Sequence, residues 1–256
     1  MYARANILGC EIDRLDMRQT VERCRQLIES GGVAQHMAIN AAKLVAMADD
    51  SELREIVRRC TLVNADGQAV IWASFILGDP LPARVAGIDL MEELLHLAGE
   101  RGYRVYILGA RQSVLERAVE RIRARHPGLN LVGFRDGYFS PDEDAHVAAE
   151  IAACKPDLLF VAMSSPRKEF FLGTYGSQIE AGLLMGVGGS IDVMAGVTRR
   201  APKGMQVAGL EWLFRMIQEP RRMFPRYART NARFVWLVAR AWLRERRAQA
   251  GDRAAS

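Results

Sequence analysis

The sequence predicts an α/β fold, a Rossmann-like sandwich on a mostly parallel sheet that carries a C-terminal all-helical basic appendage. Three observations point there. Residues 103–109 (YRVYILG), 157–163 (DLLFVAM) and 183–187 (LLMGV) are short, largely apolar runs separated by amphipathic stretches, the pattern of parallel strands covered by helices on both faces. After Arg199 the periodicity is helical only. Charge divides at the same place: residues 199–256 hold fourteen Arg and Lys against four Asp and Glu, while residues 1–198 hold twenty-one against twenty-six. The expected organisation is therefore a core over residues 1–198 and an arginine-rich helical appendage over 199–256.

Taken in order, residues 5–12 read as one strand, followed by a helix whose Val21, Cys24, Leu27 and Ile28 share a face. Residues 35–40 form a second strand that runs into a helix over 41–60, and residues 61–64 a third that ends at Ala65-Asp66-Gly67 with no helix to cap at once. Asp89 reads as the N-cap of a helix carrying Leu90, Leu94, Leu97 and Ala98 on one side. After the 103–109 strand, a helix through Val114, Ala118 and Ile122 stops at His126-Pro127-Gly128. Residues 129–134 make another strand, and Ser140-Pro141-Asp142-Glu143 is a capping box with Pro at the first helical position. The 157–163 and 183–187 strands complete the sheet.

Beyond Arg199, one helix is expected over 202–219, ended or kinked by Pro220. A second is expected from near Pro225 to about Arg247. On it Arg226, Arg229, Arg233, Arg240, Arg244 and Arg247 fall within a stripe about 60° wide, with Tyr227, Phe234, Val238, Ala241 and Trp242 on the adjoining side. A one-sided arginine stripe beside an aromatic face suits a helix lying on an anionic membrane surface. Packing of that apolar side on the protein's own core, or docking on another subunit, fits the same pattern.

Several classes are excluded. The four cysteines (Cys10, Cys24, Cys60, Cys154) form no CxxC pair, so neither a disulfide framework nor a zinc site is expected, and a reducing cytoplasm suits the chain. The first residues lack the apolar run of a signal peptide, and no stretch approaches the roughly 20 apolar residues that span a bilayer. A soluble or peripheral protein is expected. The four histidines (His36, His96, His126, His146) show no ligand spacing, and there is no P-loop and no GxSxG elbow. No metal and no cofactor is expected.

In open α/β sheets ligands bind beyond the carboxyl ends of the strands, and few polar residues fall there. They are Asn40, Asp66, Gly109 with Arg111, Asp136 with Tyr138, the group Ser164, Ser165, Arg167, Lys168 and Glu169, and the glycine cluster at 186–189 with Asp192. Asp66 is either a general base for a hydroxyl nucleophile or an Asx-turn residue. The glycine cluster admits close approach of a phosphate but lacks the GxGxxG spacing, because Ile191 holds the last glycine position. Arg84, in a loop, and Arg215, Arg221 and Arg222, around Pro220, are of the type that grips phosphate oxygens.

Residues 186–231 read GVGGSIDVMAGVTRRAPKGMQVAGLEWLFRMIQEPRRMFPRYARTN. This closely resembles the signature of the WecG/TagA/CpsF family of bacterial glycosyltransferases (glycosyltransferase family 26), with its G-x-G-x-x-x-D-x-x-A-G, R-A-P, G-L-E-W-L and E-P-R-R stations. Further matches are Asn40 with Asp66-Gly67, Arg84-Val85-Ala86-Gly87-Ile88-Asp89, YRVYILG, His126-Pro127-Gly128-Leu129 and Asp136-Gly137-Tyr138-Phe139. The resemblance runs nearly end to end.

It implies a metal-independent, inverting hexosyltransferase (EC 2.4.1 type) working peripherally at the cytoplasmic face of the bacterial inner membrane. Such an enzyme moves a hexose (of N-acetylmannosamine type, glucose or a uronic acid) from a UDP-sugar to a polyprenyl-diphosphate-linked sugar in cell-surface polysaccharide biosynthesis. Asp66 maps to the proposed base, with Asn40 and Arg84 beside it as catalytic residues. Gly109, Tyr138, Lys168, Glu169, Gly186, Gly188 and Asp192 would bind the nucleotide, and Arg215, Arg221 and Arg222 the diphosphate. The expected partners are the donor, the lipid-linked acceptor and an anionic membrane, not nucleic acid, with homo-oligomerisation left open. Two stations differ: Ala38 stands where the family commonly has Thr, and Pro166-Arg167-Lys168-Glu169 replaces Pro-Lys-Gln-Glu. Both bear on which sugar is used. Of the rival readings, a nicotinamide-dependent oxidoreductase lacks the glycine fingerprint. A non-catalytic membrane or nucleic-acid adaptor leaves the 186–192 cluster without a role.

Overall fold

The computed structural model describes residues 3–218 and 220–255; the side chains of Arg215 and Arg222 lie outside what it describes. A six-stranded, wholly parallel sheet has the order β4-β3-β8-β7-β5-β6. Its strands are β3 (Ala34–Ile39), β4 (Leu62–Ala65), β5 (Arg104–Gly109), β6 (Asn130–Arg135), β7 (Leu158–Ala162) and β8 (Leu183–Gly186). Alternation along each strand feeds two cores. Val105, Ile107, Leu158 and Phe160 face α1 (Met17–Glu29), α5 (Gly87–Arg101) and α6 (Gln112–Arg125). Tyr106, Leu108, Leu159 and Val161 face α7 (Asp144–Ala153) and α8 (Arg167–Ile179). Burial on both faces is why the strands read as continuous apolar runs.

The second face carries a further core, where Met37, Ile39, Val63 and Ala65 meet α2 (Ala41–Asp49), α3 (Ser51–Arg59) and α4 (Gln68–Ile76). The last helix, α12 (Pro220–Ala255), joins them there, with Phe234 and Val238 buried and Ala241 and Trp242 packed against the cluster. The apolar side of α12 is thus covered by the protein's own core, while Arg229, Arg233, Arg240, Arg244 and Arg247 are exposed. The side chain of Arg226, the first member of the stripe, lies outside the described residues.

Five expectations need correction. Residues 5–12 are a hairpin, β1 (Arg4–Ile7) and β2 (Cys10–Asp13). Leu8 (φ 56°) and Gly9 (φ 82°) are both left-handed, the two-residue turn that matches strand twist, and Asn6 Oδ1 accepts from Gly9 N at 2.9 Å. Asp13 then covers the edge of the sheet, accepting from Val63 N at 2.8 Å. The 41–60 segment is two helices, because Asp50 ends α2 in an extended conformation and caps α3 by accepting from Leu53 N. Asp89 is not an N-cap: α5 begins two residues earlier, at Gly87. The 202–219 segment divides into α10 (Lys203–Val207) and α11 (Glu211–Gln218) at Gly209, whose φ is 72°. Finally, α12 begins at Pro220 rather than near Pro225, and a proline in the first turn forfeits no helical hydrogen bond.

Residues after 199 are tied to the body by charge as well as packing. Arg200 forms a bidentate pair with Asp89 at 2.5 and 2.7 Å, and its Nε reaches Glu211 at 3.3 Å. Glu211 also accepts from Arg84 at 2.7 Å. Cys10, Cys24 and Cys60 are buried, and burial pushes each thiol up to about 12, so they pack as small apolar side chains.

His36 gives the fold an acid sensitivity. It is buried in β3, and its Nε2 bonds Asn64 Oδ1 at 3.2 Å while Nδ1 has no partner among the described residues. Burial lowers its pKa to about 4. Between pH 6.5 and about 4 the unfolded chain binds this proton and the folded chain does not, so stability falls as pH falls through that window. Urea unfolding across it is expected to flatten in His36→Gln by up to about 1.4 kcal/mol per pH unit. An unchanged slope would place the sensitivity elsewhere.

Candidate active site

A cleft of about 1050 Å³ opens over the carboxyl ends of β3, β4 and β8. Its floor is polar. Asn40 caps α2, its Oδ1 accepting from Lys43 N at 3.0 Å. Beside it, Asp66 N and Gly67 N both donate to Ile39 O, at 2.8 and 3.2 Å. A Cβ on Gly67 would lie 3.1 Å from Asn40 Cβ, so glycine is what lets the loops after β3 and β4 touch. Helix α4 begins directly after this turn, contrary to expectation, yet the Asp66 carboxylate does not cap it. Its Oδ1 accepts from Gly87 N at 2.9 Å, the first residue of α5. Among the described residues its other oxygen has no hydrogen-bond partner, and Asp66 lines the cleft. An anchored carboxylate with one free oxygen is arranged to accept a proton.

Below the floor lies an ion cluster that sequence spacing did not reveal. Glu169, 1% exposed, receives Lys43 Nζ at 2.7 Å and Lys168 Nζ at 2.9 Å on the same oxygen, Oε1. Burial alone would push the Glu169 carboxyl up, but the two ammonium groups, Lys43 the stronger, outweigh it and hold it at about 2. Burial pushes Lys168 down, and the charge of Lys43 adds to that. Gly186 makes room for this arrangement: a Cβ there would stand 3.0 Å from Lys168 Cε.

The walls differ in character. Trp72 and Ile76 of α4 line the cleft together with Trp212 of α11 and Tyr227, Val235 and Trp242 of α12. Trp212 and Tyr227 stack edge to face with ring centroids 6.3 Å apart. A polar floor under largely apolar, aromatic walls accommodates an amphipathic ligand.

The predicted site residues divide accordingly. Asp66, Asn40, Arg84, Lys168, Gly186 and Gly188 line this cleft. Arg84 does so with its charge already paired to Glu211, a residue the sequence reading left out. Gly109 and Tyr138 lie over β5 and β6 instead, where Gly109 (φ 124°) presses on the backbone of Ala162. Tyr138 is exposed there, with the Arg111 guanidinium 5.7 Å from its ring centroid. Glu169 sits beneath the cleft, and Asp192, in α9 (Ser190–Met194), does not line it. Arg221 is exposed and also outside the lining, while Arg215 and Arg222 fall outside the described side chains. Among the described residues no cluster of three His, Cys, Asp or Glu could hold a metal ion, and no helix is long and apolar enough to cross a membrane.

The family model for the WecG/TagA/CpsF glycosyl transferases matches residues 5–248. That family acts in cell-surface polysaccharide synthesis, with a nucleotide-sugar donor and a lipid-linked acceptor in general. A match over nearly the whole chain, on an α/β fold with a cleft at the strand ends, shows that this protein belongs to the WecG/TagA/CpsF family of glycosyltransferases.

Proposed function

We propose that the protein transfers a hexose from a UDP-sugar to a sugar on a polyprenyl diphosphate, with inversion and without a metal, at the inner face of the cytoplasmic membrane. The carrying observation is Asp66, which lines the cleft, is anchored by Gly87 N and has a second oxygen without a hydrogen-bond partner among the described residues. In this reading Asp66 takes the proton of the acceptor hydroxyl as that oxygen attacks the anomeric carbon. The C–O bond to the diphosphate breaks on the opposite face, and the electron pair leaves with the phosphate. Preorganised cations near the departing diphosphate stabilise the charge that develops there, the role proposed for Arg215, Arg221 and Arg222. Asn40, Arg84, Gly186 and Gly188 would hold the donor on the floor. Gly109, Tyr138, Asp192 and Arg221 would serve it only from outside this cleft. The apolar walls at Trp72, Ile76, Val235 and Trp242 support a lipid-linked acceptor whose sugar reaches Asp66 while its chain stays among side chains.

A panel of radiolabelled UDP-sugars with short-chain polyprenyl-diphosphate sugars tests the reading. Transfer from one donor is expected, and no transfer from any would sink it.

The membrane part rests on α12, whose outer arginines flank Trp236, with Arg233 and Arg240 at 4.8 and 5.1 Å from its ring centroid. Exposed Trp72, Phe75 and Ile76 stand on α4 nearby. Neutralising three charges (Arg240→Gln, Arg244→Gln, Arg247→Gln) is expected to weaken sedimentation with anionic vesicles on the order of 100-fold, at about 1 kcal/mol per residue. Unaltered sedimentation would remove the membrane role of this face.

A further inference from the structure

The Lys43–Glu169–Lys168 cluster is an unusual thing to bury. Two ammonium groups share one carboxylate oxygen, so the cluster keeps one uncompensated positive charge. Lys43 is 7% and Lys168 9% exposed. Burying a charge without full pairing is costly, and that cost is recovered only if something else meets the cation.

The geometry says from which side. The cavity bounded by His36, Lys43, Lys168 and Glu169 within the protein has a volume of about 10 Å³, enough for a single water at most. A ligand group can therefore reach the cluster only from the large cleft, which Lys43 and Lys168 both line and Glu169 does not. An ammonium has three donors. Among the described residues Lys168 spends one, on Glu169. Lys43 spends two, on Glu169 and on Met37 Sδ at 3.0 Å. Lys168 itself is fixed at the start of α8, its stem lying against Gly186.

We infer that Lys168, held by Glu169 and through it by Lys43, is the site at which the cleft takes an anionic oxygen group of the donor. Two sources share that chemistry, the diphosphate and a carboxylate on the transferred sugar. Asp66, on the same cleft floor, contributes a negative charge in the field of Lys168, but it is the group that becomes neutral when it accepts a proton. The Lys168 charge then remains for the ligand anion. Lys43 supplies the second positive charge: without it, Glu169 neutralises Lys168 and the net charge is gone. This inference rests on the donor reading above and adds the substrate feature that Lys168 selects.

The test is calorimetric titration of the full chain with UDP, UDP-glucose and UDP-glucuronic acid, in wild type, Lys168→Gln, Lys168→Arg and Lys43→Met. Lys168→Gln is expected to weaken binding at least tenfold, with Lys168→Arg restoring most of it and Lys43→Met, which removes the second cation of the cluster, reproducing the loss. A loss confined to UDP-glucuronic acid assigns the site to a sugar carboxylate. An equal loss for all three assigns it to the diphosphate. Affinities within twofold of wild type for all three ligands in Lys168→Gln would overturn the inference and leave glycosyl transfer standing. If wild type binds none of them, the donor reading falls and the inference with it.

Discussion

Asp66→Asn is expected to lower sugar transfer by about 100- to 10,000-fold, the range in which a positioned general base contributes, while nucleotide affinity stays near that of wild type. Asparagine is the informative replacement. The amide oxygen still accepts from Gly87 N, so the contact that anchors the start of α5 survives, whereas the capacity to take a proton is lost. Asp66→Ala removes both and also leaves the Gly87 N–H without its partner, so a loss of activity there would mix catalysis with a loosened turn. Thermal unfolding separates the two. Asp66→Asn should melt close to wild type, Asp66→Ala lower. If Asp66→Asn turns over within a few-fold of wild type, the carboxylate is a turn residue and the base must be sought elsewhere on the cleft floor.

Glu169→Gln is expected to destabilise the protein by roughly 3–5 kcal/mol, the cost of breaking a buried ion pair by removing one partner. Here the removal strands two cations instead of one. Urea denaturation measures it, and a loss under about 1 kcal/mol would mean that the cluster is more hydrated than its burial indicates. Adding Lys43→Met to Glu169→Gln should return part of the stability, because a single ammonium then remains with access to the cleft. The pH dependence has a definite sign. Glu169 titrates at about 2 when folded and near the ordinary carboxylate value when unfolded. Its stabilisation is therefore complete above that ordinary value and disappears as pH falls through about 2. The His36 contribution is lost earlier, between pH 6.5 and about 4, so acid should weaken the fold in two stages.

How far the sequence disclosed this molecule varies with the length scale of each feature. Strands β4, β5, β7 and β8 were legible because they are largely buried on both faces, which forces continuous apolar runs such as 158–162. The hairpin was not, because its turn places Leu8 at a left-handed φ, where asparagine or glycine would have announced it. Helix α4, AVIWASF after Gln68, is apolar on all sides, so it carries no periodicity to read. The break at Asp50 did leave a signal, an aspartate directly before Ser51, that the surrounding helical pattern masked. At the site, Asp66 and Asn40 could be found from their strand ends alone. Lys43 and Glu211 could not. Each looks like an ordinary helical charge until tertiary structure brings it to a partner more than a hundred positions away, Lys43 to Glu169 and Glu211 to Arg84.

The last helix is shared between two environments, and each half of its circumference answers to a different constraint. Phe234 and Val238 sit in protein interior, and Trp242 and Tyr227 shape the cleft, so changes there should be read as changes in folding or substrate fit. Arg240, Arg244 and Arg247 touch neither the core nor the cleft and are free to be exchanged. Deleting residues 199–256 would confound the two. It would strip Asp89 and Arg84 of their ion partners Arg200 and Glu211 and uncover the apolar faces of α2 and α4. Point substitutions on the outer rim of this helix, and not removal of the segment, are therefore the means of testing a surface role apart from folding and catalysis.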